Sequence, residues 1–340
     1  MKTVIIKLGG AAITNKKGNC QLVDDSALDS LILQIQQAYT FLAASGHRLV
    51  LIHGAGSFGH PQAKRFNLKQ GWIASSGLST PPHNTNETDD DYDYRDQKAG
   101  FAHTRKCLLE LHLALLSRLQ RRGLPVLGLS PFDHVETDGG DKSADECFQG
   151  LASRATQLLK LGFIPLLHGD AVLDRSLGCT ILSGDIVMHK LAMLLPNVSR
   201  CVFVTDVEGI YDADPKIAKK KAKLIKHVPI DLLGDKEEKL SKHVRSNKRQ
   251  RRLNPIASKA VSSNGGVVDV TGGMQGKIKW ARQMVLDAAA HQQRNDLEVV
   301  ICKAASQEAT RVMSLEPVLE RGLPIPGQLM TVISIAQTDL

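Results

Sequence analysis

With 340 residues, 42% apolar and 23% charged, the chain has room for one large α/β domain or two lobes sharing a sheet, and its composition is that of a soluble globular protein. No apolar run reaches the length a membrane-crossing helix needs, and no leader pattern is read ahead of the first strand, so neither an anchor nor secretion is expected. The net charge of +8 is concentrated between Lys216 and Lys259. No aromatic residues interleave those lysines and arginines as stacking platforms for bases, so a solvated basic stretch is expected rather than a nucleic-acid surface.

Val4 to Leu8 is an apolar run that reads as a buried strand ending in Gly9-Gly10. Ala27 to Ala44 carries Leu28, Leu31, Ile32, Ile35, Ala38 and Leu42 at helical spacing. Arg48 to His53 reads as a second strand, ending in Gly54-Ala55-Gly56. Ser75 to Asp96 is polar, acidic and interrupted by Pro81-Pro82, the pattern of a loop. Phe101 to Arg122 is an amphipathic helix, Pro125 to Leu129 a strand, Ala152 to Leu161 a helix, and Phe163 to Leu167 a strand ending in His168-Gly169-Asp170. Cys179 to Leu182 is short and extended, Ile186 to Leu195 helical, and Arg200 to Thr205 a strand ending at Asp206. Asp212 to Ser263 is mostly polar and basic. Ile278 to Ala290 is a helix, and Leu297 to Cys302 and Thr331 to Ala336 are strands. Strands alternating with helices predict a mostly parallel sheet with helices on both faces. A soft boundary at residues 175–195 suggests lobes 1–180 and 181–340, or one continuous domain. The six cysteines form no CxxC pair, which argues against a zinc site or disulfide framework and for a reduced, cytoplasmic setting.

The chemistry is concentrated where strands end, the side of a parallel sheet on which ligands bind. Lys7-Leu8-Gly9-Gly10 puts a cation and two unobstructed backbone amides there. Gly54 to His60, GAGSFGH, is a second glycine loop ahead of a helix; it matches neither the Walker A pattern nor a Rossmann fingerprint. Leu182-Ser183-Gly184-Asp185 precedes a helix, so Ser183 or Asp185 is either its cap or part of a site. Thr205 to Asp212, TDVEGIYD, supplies polar groups after a strand. Thr271 to Lys277, TGGMQGK, is a third glycine loop closed by a lysine.

Taken together, KLGGAAITNK, HGAGSFGHPQA, PLLHGDAV, LSGDIV, VTDVEGIYDADP and DVTGGMQGK resemble the amino-acid kinase superfamily, and within it the isopentenyl phosphate kinases, for which GAGSFGH with its histidine is the most specific piece. Ala11 departs from the serine frequent at that position, and the segments 75–96 and 216–263 are longer than a minimal member needs. The resemblance implies an open αβα sandwich, an acceptor-binding N-terminal lobe, a nucleotide-binding C-terminal lobe and a homodimer. It implies transfer of a phosphoryl group from ATP, accompanied by Mg2+, to isopentenyl phosphate, with no nucleic-acid or membrane partner. Lys7 and Lys277 would then hold the ATP phosphates, and Lys16 would stabilise the transition state. Gly9, Gly10 and Gly56 would offer backbone donors to the nucleotide, and Asp206, Tyr211 and Gly273 would line its site. Ala55, His60 and Gly184 would hold the acceptor phosphate, and Asp185 would orient the lysines. A sister kinase acting on another small phosphate or a carboxylate, and a non-catalytic nucleotide-binding protein, are the alternatives.

Overall fold

The computed structural model describes residues 1–72, 97–212, 222–230, 273–292 and 294–336. The acidic loop read at 75–96, the basic cluster Lys248 to Arg252 and the start of the third glycine loop lie outside the described residues.

The strands, in chain order, are β1 (Thr3–Leu8), β2 (Arg48–His53), β3 (Val126–Gly128), β4 (Ile164–His168), β5 (Asp170–Asp174), β6 (Gly178–Leu182), β7 (Val198–Thr205), β8 (Ile210–Tyr211), β9 (Leu224–Ile225), β10 (His227–Ile230), β11 (Glu298–Lys303), β12 (Leu319–Glu320), β13 (Leu323–Pro324) and β14 (Met330–Ile335). The helices are α1 (Gly10–Ile13), α2 (Asp25–Ala44), α3 (His60–Arg65), α4 (Gln97–Arg121), α5 (Gln149–Lys160), α6 (Gly184–Leu194), α7 (Gly273–Gln292) and α8 (Gln307–Met313).

An eight-stranded sheet in the order β10-β14-β11-β7-β1-β2-β4-β3 forms the centre. All neighbouring pairs are parallel except β11 with β14. The mostly parallel αβα sandwich expected from the sequence is therefore present. Strands from residues 1–180 occupy one half of the sheet and strands from 181–340 the other, meeting where β1 pairs with β7.

Strand β1 is buried on both faces, which is why it reads as a continuous apolar run. Ile5 joins Leu151, Ala155, Val187, Leu191, Met284 and Val285 under α5, α6 and α7. Val4, Ile6 and Leu8 face the opposite way, onto Leu28, Ile32 and Ile35 of α2, Leu111 and Leu115 of α4, and Val312 and Met313 of α8. Lys7 alternates with Leu8 and so falls on the face covered by α6.

Several sequence boundaries move. Helix α7 starts at Gly273 rather than Ile278, so Lys277 lies one turn inside a helix instead of closing a loop. Asp170 to Asp174, passed over in the sequence, pairs antiparallel with Gly178 to Leu182 as a hairpin. Buried Asp174 clamps it, accepting from Thr137 Oγ1 at 2.7 Å, Gly140 N at 2.8 Å and Leu177 N at 2.8 Å. Within the stretch read as merely polar, His227 to Ile230 extends the sheet as β10 beside β14; burial of Val228 and Ile230 there needs only two apolar residues, too few for periodicity to register.

Candidate active site

Register brings the strand ends level. Leu8 pairs with His53 on one side and Val204 on the other, and His53 pairs with His168. The loops that follow, at Gly9-Gly10, Gly54 to Gly56, Gly169 and Asp206, therefore emerge on one edge of the sheet.

Glycine is required where these loops touch. A Cβ on Gly10 would lie 2.6 Å from the Gly56 backbone, and one on Gly54 would lie 2.8 Å from Gly10 N. Gly56 also has φ +51°, and its Cβ would collide with Thr14. Thr14 staples the two loops, donating from Oγ1 to Gly10 O at 2.8 Å and accepting from Ser57 N at 3.1 Å. The Gly9 amide is already committed to Val204 O at 2.8 Å. That corrects the expectation for Gly9: it permits close approach and offers no donor to a ligand. Gly10 and Gly56 instead open helical turns, where the first N–H groups have no carbonyl partner within the turn. Ala55 immediately precedes the second of these turns.

Lys7 Nζ lies 2.6 Å from Asp185 Oδ1, and each side chain is only 7% exposed. The ammonium also lies 5.8 Å from the centre of the Phe203 ring, its neighbour across the sheet. Asp185 sits in the first turn of α6, and Ser183 is that helix's cap, accepting from Ile186 N. The two readings left open for this segment thus divide between the residues. Gly184 makes room for the lysine, since a Cβ there would stand 2.9 Å from Lys7 Cε. Although paired with Lys7, Asp185 Oδ1 accepts no well-formed hydrogen bond.

Lys16 does not share that carboxylate, as the sequence reading had it. Its Nζ donates to Asp206 Oδ2 at 2.8 Å, with the lysine side chain 61% exposed. Burial pushes the Asp206 carboxyl up, but the Lys16 hydrogen bond and charge outweigh it and hold the group below the ordinary carboxylate range. Tyr211 donates its hydroxyl to Glu208, which raises the phenol to about 12. His60 is the first residue of α3. Gly273 and Lys277 lie in α7, which His189 of α6 ties down through a 2.7 Å contact to Asp287. The structure thus gathers Lys7, Gly9, Gly10, Gly56, Gly184 and Asp185 at the strand ends, with the Lys16–Asp206 pair beside them.

The sequence reading assigned no role to the residues beneath the loops. His53, His112 and His168 are buried together, with ring centres 4.8–5.3 Å apart. His53 Nδ1 meets Gly54 O at 3.2 Å and His168 Nδ1 meets Gly169 O at 3.0 Å. A carbonyl only accepts, so each Nδ1 carries a proton, and His53 Nε2 then accepts from His112 Nδ1 at 3.1 Å. Each imidazole holds the first carbonyl of a glycine loop. Burial, and then the other imidazoles, drive His53 well below the usual histidine range and His112 down to about 3. A strand-final histidine directly before glycine, occurring twice, was the available signal. Asp170, next to Gly169, is fully enclosed and accepts from Arg105 Nε at 3.3 Å and Ala171 N at 2.9 Å.

Residues 2–291 match the amino acid kinase family, and the chain belongs to it. Among its relatives, an isopentenyl phosphate kinase of Arabidopsis thaliana is 30% identical over 91% of this chain and 90% of that protein. One from Methanothermobacter thermautotrophicus is 28% identical over 81% of this chain and 84% of its own length. A solved isopentenyl phosphate kinase structure superposes with a TM-score of 0.62 at 23% identity, covering 93% of this chain and 97% of that one, which speaks to the fold.

Two predictions follow from the geometry. Removing one partner of the Lys7–Asp185 pair strands a buried charge, so Lys7→Met or Asp185→Leu alone should cost about 3–5 kcal/mol in urea unfolding. The Lys7→Met/Asp185→Leu double variant should recover most of that loss yet remain inactive; full activity in the double variant would remove the pair from the site. The second concerns acid. His53 and His112 bind protons in the unfolded chain below about pH 6.5 but not in the fold, so the stability they contribute is complete above that pH and falls as pH drops toward 3. Melting temperature should decline between pH 7 and 5, and His112→Asn, which replaces the Nδ1 donor with a non-titrating amide, should flatten the decline. An unchanged slope in that variant would contradict the burial argument.

Proposed function

We propose that this chain transfers the γ-phosphoryl group of ATP to isopentenyl phosphate, giving isopentenyl diphosphate and ADP. The observation that carries the reading is the convergence of Lys7, the Gly10 and Gly56 amides and the Lys16–Asp206 pair at level strand ends. Kinship with isopentenyl phosphate kinases along nearly the whole chain supports the choice of acceptor.

The acceptor is already anionic, so no group need deprotonate it. One of its phosphate oxygens attacks the γ-phosphorus as the bond to the β–γ bridging oxygen breaks, and ADP leaves with that electron pair. What the chain must supply is positive charge and fixed N–H groups. In this reading Lys7, held by Asp185, and Lys277 grip the nucleotide phosphates. Gly10 and Gly56 donate backbone hydrogen bonds to them. Lys16 leaves Asp206 for the transferring phosphoryl group, an exchange its exposure makes inexpensive. Ala55, His60 and Gly184 take the acceptor phosphate, while Asp206, Tyr211 and Gly273 border the nucleotide. Mg2+ comes with ATP. Asp185 and Asp206 are each engaged by a lysine, and among the described residues no cluster of three or more His, Cys, Asp or Glu is poised to bind a metal. The ion would therefore be held mainly by phosphate oxygens and water, as Mg2+ usually is in kinases. Residues 1–180 serve the acceptor and 181–340 the nucleotide. A homodimer and a cytoplasmic setting complete the reading; no helix of the described residues is long and apolar enough to cross a membrane.

Coupled ADP-release assays should give turnover with isopentenyl phosphate far above that with acetylglutamate, glutamate, aspartate or UMP; equal turnover with any of those would redirect the reading to a sister kinase. Lys16→Ala should lower kcat about a hundredfold while Michaelis constants move much less, and a variant impaired only in ATP binding would make Lys16 a ground-state ligand. His60→Ala should weaken the acceptor more than His60→Gln, which keeps a donor but not a charge, with the ATP constant steady in both. Wild-type acceptor affinity in the alanine variant would leave His60 a structural residue.

A further inference from the structure

Cys20 and Cys107 take no part in the mechanism above, yet they meet at its edge. Residues 15–21 form a closed excursion, with Thr14 bridged to Leu22 and Asn15 N donating to Gln21 O at 2.9 Å. Lys16 stands in this loop, four positions before Cys20. The backbone of Cys20 is in the left-handed region, at φ 48°, which residues with side chains seldom adopt. Half-buried Cys20 packs against the same apolar cluster that contains Cys107, a buried residue on the inner face of α4. Both are thiols in the structure, and the two sulfurs are in hydrogen-bonding contact. Gln62, two residues after His60 on α3, donates to Cys20 Sγ at 3.3 Å and to Asn19 Oδ1 at 3.0 Å. Cys20 is thus the point where the Lys16 loop, the helix of His60 and α4 join.

We propose that Cys20 and Cys107 are a redox-responsive pair that closes to a disulfide and thereby slows phosphoryl transfer by drawing the Lys16 loop onto α4. The effect on turnover rests on the kinase reading; formation of the bond does not. A disulfide needs its sulfurs about 2.05 Å apart, closer than any thiol hydrogen bond allows. Cys107 belongs to a helix packed in the core, so Cys20 must make the approach. The exposed Lys16–Asp206 pair, worth little on its own, resists that shift weakly.

The oxidant class is a hydroperoxide. The Cys20 thiolate attacks a peroxide oxygen, the O–O bond breaks, and one water leaves, giving a sulfenic acid. The Cys107 thiol loses its proton and attacks the Cys20 sulfur, the S–O bond breaks, and a second water leaves. Two thiols surrender two electrons and two protons to one peroxide. The hydrogen bond to Cys20, and then burial, keep Cys107 protonated, which assigns it the resolving step. Cys179, Cys201 and Cys302 are buried, with thiols pushed up to about 11, 12 and 12, and so compete poorly.

The test treats the reduced full chain with hydrogen peroxide, then maps disulfides by peptide mass spectrometry, follows amide exchange at residues 15–21 and measures ADP release with isopentenyl phosphate. The expected result is a Cys20–Cys107 linked peptide, slower exchange in that loop and a kcat lowered about tenfold or more, all reversed by dithiothreitol. Cys20→Ser and Cys107→Ala should each abolish the linkage and the response while turning over normally when reduced. No such linkage, or a linked enzyme at full turnover, would overturn the proposal. A reduced protein with no turnover would instead defeat the kinase reading alone, and linkage with slowed exchange would still decide the pair.

Discussion

Lys7 and Asp185 face each other at 2.6 Å at the end of a central strand, nearly cut off from solvent. Withdrawing two such charges from water costs several kcal/mol each, and their attraction offsets this fully only where every lone pair and proton is satisfied. Here Asp185 Oδ1 lacks a well-formed hydrogen bond. As a source of stability the pair is poor. As a fixed positive charge beside backbone donors it is what an anionic ligand requires, because a preorganised cation needs no rearrangement when phosphate arrives. Gly184 follows from it, since a larger residue would press on the lysine's own methylenes.

The loops around that charge are built by contact between backbones. Gly10 and Gly54 to Gly56 approach so closely that no side chain fits between them, and Thr14 stitches one to the other. Beneath them, His53 and His168 hold the first carbonyl of successive loops, and His112 sustains His53. With the His53 and His112 pKa values driven down by burial and neighbouring rings, these two imidazoles serve as rigid dipoles and add no competing charge below the phosphate site.

Much of this was legible in the sequence for definable reasons. Strands buried on both faces leave unbroken apolar runs, so β1, β2, β4 and β7 stood out, and the glycines after them marked the ligand edge. Lys7 and Asp185 were read separately, because an ion pair between residues so distant in the chain leaves no local trace. The partner of Lys16 was misread for the same reason: Asp185 and Asp206 both follow strand-like segments, and only the fold puts Asp206 in reach. The histidine trio escaped because one member, His112, comes from the middle of α4, where a polar residue on an apolar face passes for tolerance. The hairpin of β5 and β6 escaped because it is held by Asp174 accepting backbone and hydroxyl protons, an interaction with no periodicity.

The central claim is that the strand-end loops form one phosphate site organised around buried Lys7. A crystal structure with isopentenyl phosphate and a non-hydrolysable ATP analogue tests it most directly. The account predicts nucleotide phosphate oxygens within hydrogen-bonding distance of Lys7 Nζ and of the Gly10 and Gly56 amides, with Lys16 moved from Asp206 toward the γ-phosphate. Phosphates bound elsewhere, with Lys7 still sealed against Asp185 and contacting no ligand, would contradict it.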